Sequence, residues 1–164
     1  EGSIGRRLTT DEWRISQAWQ AFSAWESMKK QILLGYDGFS WCCLHGGANM
    51  GTYQKPLIDN SRHPKLAFYI NKMVFQKTWA GSNNVDVVYG PNDKITPAIN
   101  HLGEERKVNM CVILKNLKGD ILDKRIFKNI ELKNGHDIKP LEEFRFKKVN
   151  DGIYAIIYEI SDSK

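Results

Sequence analysis

The first third of the chain carries the apolar pattern of a long amphipathic helix. The apolar side chains recur at steps of three and four residues, and they are Ile15, Ala18, Trp19, Phe22, Trp25, Met28 and Ile32. A capping box, Thr9-Thr10-Asp11-Glu12, precedes them, and Gly35 can end a helix in the left-handed conformation. The pattern therefore predicts a helix from about residue 9 to Leu34 with a wide aromatic face.

The next two elements are predicted to be a short strand and a second helix. Residues 39–44 do not alternate, and a strand that is apolar on both faces is typical of a parallel sheet with both faces covered. A loop rich in Gly and Asn follows. A second helix is predicted from Pro64 to about Trp79, and a linker at residues 81–84. The predicted buried stripe of this helix is Leu66, Tyr69, Ile70, Met73 and Val74.

From Val85 onward the pattern changes to short β-like runs separated by turn signals rich in Gly, Asn and Asp. The runs cover residues 85–89, 95–99, 108–115, 121–130, 138–146 and 153–160. Six or seven strands at this spacing predict a β-sandwich of the immunoglobulin type.

A single doubly apolar strand in the first half, by contrast, needs neighbours that the chain does not contain. We interpret the first half as the end of a repeated β/α domain.

Composition, charge and cysteine content narrow the function classes. The net charge is +5, but the lysines of the second half alternate with acids and apolar residues, as on a solvated sheet face. Cys42, Cys43 and Cys111 lack the spacing of a disulfide framework or a zinc site, so we interpret them as small buried hydrophobes. No signal peptide or transmembrane run is visible. We expect no cofactor, no metal, no nucleic-acid partner and no membrane partner.

Two segments of the first half resemble a known family. Gly38-Phe39-Ser40-Trp41, and Asp59 followed by Arg62-His63-Pro64-Lys65-Leu66-Ala67-Phe68-Tyr69, resemble the end of the catalytic barrel of family 2 glycoside hydrolases. That family includes β-galactosidases, β-glucuronidases and β-mannosidases, and an immunoglobulin-like domain often follows its barrel. The resemblance implies an α+β fold class. Residues 1–81 would be the terminal helix–strand–helix piece of a (β/α)8 barrel, and residues 82–164 an immunoglobulin-like β-sandwich.

The resemblance also implies a set of site residues. Trp41 is expected at the C-terminal end of the eighth barrel strand, as an apolar platform under the sugar, and His45 and Asn49 on the next loop are expected to reach sugar hydroxyls. Glu1, 40 positions before Trp41, has a plausible spacing for the nucleophile of a retaining glycosidase. The alternatives are a core role for Trp41 and ordinary loop roles for the other three residues.

The resemblance implies that the chain belongs to a larger hydrolase. Retaining chemistry needs a second carboxylic acid about 5–5.5 Å from the nucleophile, and the chain lacks the strand that would carry it. The isolated chain is therefore expected to be inactive, and to self-associate through the aromatic helix of Trp13, Trp19 and Trp25. The partner of the parent enzyme would be a carbohydrate substrate. A bacterial polysaccharide-degrading parent would be periplasmic or secreted.

Two other function classes remain open from the sequence. The first is a self-contained carbohydrate- or protein-binding module that docks its partner on sandwich aromatics. Solvent exposure of two or more of these on one face would favour it, and they are Phe127, Phe144, Phe146, Tyr154 and Tyr158. The second is a small thiol enzyme that uses Cys42 or Cys43 with His45, which requires an accessible thiol with a lowered pKa.

Overall fold

The computed structural model describes residues 10–33, 44, 56–59, 62–84, 89–90, 92–147 and 149–163. In this part of the chain the structure is mostly β-sheet with two helices, as an α+β protein with a β-sandwich requires. The chain divides into two compact units, Glu1–Gln76 and Lys77–Lys164. The strand predicted at residues 39–44 falls outside the described residues except for Leu44, which lies in a bend.

In the described part of the first unit two helices contact each other, α1 (Thr10–Leu33) and α2 (Leu66–Val74). The sequence predicted α1 within one residue at its C-terminal end. Ala24 on α1 and Ala67 on α2 are both fully buried, and small side chains let helices approach closely. The buried Asn71 amide donates to the Ala67 carbonyl oxygen at 2.8 Å. Neither described helix is long and apolar enough to span a membrane.

The second helix differs from its prediction in length and in its buried face. It ends at Val74 rather than near Trp79, because residues 78–82 pair with another strand instead of continuing the helix. The buried residues of α2 are Ala67, Asn71 and Val74. Leu66 and Tyr69, predicted to be buried, are 49% and 55% exposed. The helical spacing is correct, but a second apolar face of the helix points to solvent.

The described residues of the second unit form two antiparallel three-stranded sheets. Its strands are β1 (Thr78–Ser82), β2 (Pro97–Gly103), β3 (Arg106–Asn116), β4 (Ile121–Leu132), β5 (Gly135–Pro140) and β6 (Tyr154–Asp162). The sheets have the strand orders β1-β2-β5 and β4-β3-β6. Gly81 and Ser82, predicted to begin a linker, are the last residues of β1. The boundary between the two compact units therefore lies between Gln76 and Lys77. The sequence predicted the domain boundary between residues 81 and 82.

Five of the predicted runs contain strands, with shifted bounds. The run at 138–146 is shorter than predicted, because β5 ends at Pro140 and Phe144 pairs only through an isolated bridge to Ile95. Residues 85–88 of the first run fall outside the described residues.

The core of the second unit lies between its two sheets. Its buried members are Ile99 from β2 and Val108, Met110, Val112, Ile130 and Leu132 from β3 and β4. Residues 108, 110 and 112 alternate along β3, as predicted for a central strand with one face on the core. Cys111 lies on the opposite face and is only half-buried, so its predicted burial is wrong. These sheets form a β-sandwich.

Candidate functional site

The four predicted site residues, Glu1, Trp41, His45 and Asn49, lie outside the described residues. Their roles stay predictions. The part of the site region that the structure does describe is the segment introduced by Asp59, together with Leu44. We call residues 57–59 and 62–65 the Asp59 turn.

The Asp59 turn is a narrow, closely hydrogen-bonded connection that leads into α2. Ile58 and Pro64 form an antiparallel bridge, and the Lys65 N–H donates to the Leu57 carbonyl oxygen at 2.9 Å. The Asp59 carboxylate closes the turn, since its Oδ1 accepts the His63 N–H at 2.8 Å. The Asp59 N–H also donates to the His63 carbonyl oxygen at 3.0 Å. These bonds satisfy backbone groups that have no helix or sheet partner here.

Arg62 adopts a left-handed backbone conformation, with φ of +65°. For a residue other than glycine this conformation costs about 1–2 kcal/mol. It is held by the bond from the Arg62 N–H to the Asp59 carbonyl oxygen at 3.0 Å. Such strain persists where the surrounding contacts determine the conformation, and it is frequent at functional sites.

The turn and the residue before it, Pro56, are bonded to two other parts of the first unit. The Ile58 N–H donates to the Leu44 carbonyl oxygen at 3.0 Å, and Gln20 Nε2 on α1 donates to the Pro56 carbonyl oxygen at 3.4 Å. Leu44 directly precedes His45 and follows Trp41 by three residues in the chain. The Asp59 turn is therefore bonded to the backbone next to the residues predicted to bind sugar.

Lys65 is the most unusual side chain of this region. It is the N-cap residue of α2 and only 1% exposed. Burial lowers the pKa of its ammonium group to about 8, and attraction to the Asp59 carboxylate opposes this shift. A cation at a helix N-terminus is also repelled by the helix dipole, and a lysine has no acceptor for the first N–H groups of the helix.

The sequence itself carries a sign that Lys65 is unusual. Helix N-termini favour Asp, Ser, Thr and Asn, so a lysine directly before a strongly apolar helix is out of place. The family resemblance gave Lys65 no role beyond its position in the Arg-x-Pro-Lys-x-Ala-x-Tyr pattern. No group of three or more metal-ligating side chains occurs among the described residues.

The aromatics that would serve a binding module are not exposed. Phe127, Phe144, Phe146 and Tyr158 pack against the sandwich core. Burial raises the pKa of the Tyr158 hydroxyl above its usual value. Tyr154 is half-buried, and its hydroxyl donates to the Asn150 carbonyl oxygen at 2.9 Å. The condition that would favour the binding module is therefore not met.

Comparison with known proteins gives a likeness in structure but not in sequence. No protein-family model matches the chain, and no curated protein matches it. The crystal structure of the exo-chitosanase CsxA of Amycolatopsis orientalis is similar with a TM-score of 0.67 at 13% identity, over 93% of this chain. A structure on inhibition of the exo-β-D-glucosaminidase CsxA is similar with a TM-score of 0.68 at 12% identity, over 96% of this chain. In both cases the chain spans 18% of the neighbour's length.

Proposed function

We propose that the chain is the C-terminal part of a retaining β-glycosidase similar to family 2 glycoside hydrolases. In this proposal the first unit, Glu1–Gln76, completes a catalytic (β/α)8 barrel, and the second unit, Lys77–Lys164, is an immunoglobulin-like accessory domain. The observation that carries the proposal is the structural likeness of 93% of the chain to part of an exo-chitosanase. Its independent support is the Asp59 and Arg-x-Pro-Lys-x-Ala-x-Tyr pattern, which leads into α2.

Exposed apolar side chains on both helices of the first unit support an incomplete domain. Trp19 on α1 is 68% exposed, and Leu66 and Tyr69 on α2 are 49% and 55% exposed. Phe75, directly after α2, is 62% exposed. A unit that folds as a whole domain buries most large apolar side chains, and larger exposed patches mark surfaces that another element covers. In the proposal, the earlier repeats of the barrel cover these side chains.

The proposed mechanism divides the chemistry between this chain and the upstream part of the enzyme. An upstream carboxylic acid protonates the leaving-group oxygen, and Glu1 attacks the anomeric carbon to form a glycosyl-enzyme that water then hydrolyses. Trp41 forms the platform under the sugar ring, and His45 and Asn49 hydrogen-bond its hydroxyls. Since the chain holds one of the two acids, it hydrolyses nothing by itself.

The first test is the reading frame upstream of Glu1 and the activity of its full product. The frame is expected to encode β/α repeats with Asn-Glu at the end of an earlier strand. The product should hydrolyse at least one p-nitrophenyl β-glycoside in a panel of glucosaminide, galactoside, glucuronide and mannoside. A 2-deoxy-2-fluoro-β-glycoside should label the peptide that contains Glu1.

Two variants separate catalysis from folding in this test. Glu1→Gln should lower kcat by at least about a thousandfold, in line with the loss of a covalent nucleophile. Glu104→Gln, at an exposed carboxylate of the second unit, is the matched control and should leave kcat unchanged. A start codon or signal peptide just before Glu1, or an active product that retains its kcat as Glu1→Gln, would contradict the proposal.

A further inference from the structure

Among the described residues, β4 and β6 each pair with β3 alone, so both are edge strands of their sheet. The Ser163 N–H donates to the Lys107 carbonyl oxygen at 3.1 Å, which continues the register in which Val108 lies opposite Asp162. In an antiparallel ladder every second residue bonds to the same neighbour, so the odd-numbered residues of β6 bond to β3. The backbone N–H and C=O groups of the even-numbered residues point away from β3, and we call them the outward groups. They belong to Tyr154, Ile156, Tyr158, Ile160 and Asp162.

Edge strand β4 has the features by which proteins protect a free sheet edge. Two register shifts interrupt its pairing with β3, and Asn129 has a left-handed φ of +54°. The Lys124 N–H donates to the Asp123 carboxylate at 2.8 Å instead of staying available to another strand. Exposed charged side chains, Lys128 among them, also disfavour pairing with a further strand. We therefore expect β4 to remain an edge.

Edge strand β6 is open by comparison. Its register with β3 runs without a shift over nine residues, and it contains no proline. No bond joins any described residue to the outward groups of Ile156, Tyr158 or Ile160. The side chains of these three residues are half-buried and pack against the sandwich core. Backbone groups in such a place are costly to leave without a hydrogen-bond partner, so this edge favours a main-chain partner.

We propose that β6 is the docking edge for a further strand of the sandwich, which comes from a part of the parent enzyme outside these 164 residues. Sandwiches of the immunoglobulin type have about seven to nine strands, and the described residues form six. The incoming strand bonds to the outward groups, and every second side chain of it extends the core beside Ile156, Tyr158 and Ile160. It is therefore apolar at alternate positions and has no proline within the paired segment.

The source of the strand rests on the proposed function, in which the chain is part of a longer enzyme. The chain spans 18% of the length of the similar exo-chitosanase, and an enzyme of that size has ample further polypeptide to supply a strand. A strand on the same polypeptide is held near the edge at a high effective concentration. It covers the half-buried outward groups permanently, whereas a separate peptide or a second copy leaves them bare at low protein concentration.

The direct test is amide hydrogen exchange in the full product of the reading frame, read by fragmentation that resolves single residues. β6 contains its own control, because the amides of Ile157 and Glu159 bond to β3 whether or not the edge is covered. After correction for intrinsic rates, the amides of Ile156, Tyr158 and Ile160 are expected to exchange less than about tenfold faster than the two control amides. Exchange that is faster by about tenfold or more would overturn the proposal.

Photo-crosslinking identifies the strand that covers the edge. A benzophenone amino acid in place of Glu159, which is exposed on β6, is expected to link to a peptide outside residues 1–164 of the same molecule. The same amino acid in place of Lys128, which is exposed on β4, is the matched control and should give a much lower yield of links to that peptide. Equal yields from the two positions would contradict the choice of β6. Links from position 159 to residues 1–164, or to a second copy in a mixture of isotope-labelled and unlabelled protein, would contradict the source of the strand.

The outcomes separate this inference from the proposed function. An active glycosidase in which the even-numbered amides of β6 exchange fast refutes the docked strand and leaves the proposed function standing. A longer product that hydrolyses no glycoside, but has protected amides and a link from position 159 to a peptide outside residues 1–164, refutes only the proposed function.

Discussion

The buried Lys65 predicts an unusual dependence of stability on pH. Its pKa is about 8 in the folded protein, against 10.5 for an unperturbed lysine. Between these values the unfolded chain binds more protons than the folded one, so the free energy of unfolding rises as the pH rises. Below pH 8 both states are protonated, and the cost of burying the charge is fully present.

The size of this rise follows from the pKa difference. A shift from 10.5 to about 8 corresponds to roughly 3 kcal/mol at most. Because proteins relax around a buried charge, we expect only about 1–2 kcal/mol of that effect. The measurement should stay below pH 10, since burial raises the pKa of Tyr158 in the folded protein and the stability therefore falls above the usual tyrosine pKa of about 10.

The assay is urea denaturation of wild type, Lys65→Met and Lys72→Met at pH 7.0 and pH 9.5. The difference between wild type and Lys65→Met isolates position 65, because other titrating groups contribute equally to both proteins. From pH 7.0 to pH 9.5 the free energy of unfolding of wild type should rise by about 1 kcal/mol relative to that of Lys65→Met. The free energy of unfolding of Lys72→Met, which removes an exposed lysine of α2, should change with pH as that of wild type does. An unchanged difference between wild type and Lys65→Met would refute the inference that burial lowers this pKa.

Three other perturbations have definite expected outcomes. Asp59→Asn should destabilise the protein by about 1 kcal/mol, because it weakens the acceptor of the His63 N–H and removes a carboxylate that attracts the Lys65 ammonium group, and combining it with Lys65→Met should reduce this loss in urea denaturation. His101→Phe should cost about 2 kcal/mol, because the buried ring hydrogen-bonds Thr78 Oγ1 at 2.8 Å and the Glu104 carbonyl oxygen at 2.9 Å. The isolated chain should form dimers or larger species in analytical ultracentrifugation, and Trp19→Ser should weaken them.

Each of these outcomes has a control or a contrary result. Leu102→Ser, at the exposed neighbour of His101, should change the stability by less than about 0.5 kcal/mol. If Leu102→Ser and His101→Phe lower the free energy of unfolding equally, the hydrogen bonds of His101 do not contribute to the stability. A loss in the Asp59→Asn, Lys65→Met double variant as large as in Asp59→Asn alone would exclude coupling of the two residues. If the isolated chain is strictly monomeric, the inference that its exposed aromatic side chains drive self-association is wrong.

The sequence alone determined the elements whose signals are local. Apolar residues at helical spacing after a capping box predicted α1. Alternating apolar residues between turn signals predicted most strands of the sandwich. Local patterns suffice there because helix periodicity and strand alternation report which residues share a face. The motif around Asp59 likewise identified the segment that introduces α2, although the four site residues inferred from the resemblance stay predictions.

Only the tertiary structure decided which apolar and charged groups are covered. Trp79 fits a helical pattern, but pairing of β1 with β2 places it in a strand. Leu66 and Tyr69 have the spacing of a buried stripe, yet the buried face of α2 is the one that holds Ala67, Asn71 and Val74. Lys65 is buried, although a charged side chain directly before a helix is expected to face solvent. The physical reason is that a side chain's spacing is a local property, whereas its burial depends on partners distant in the chain.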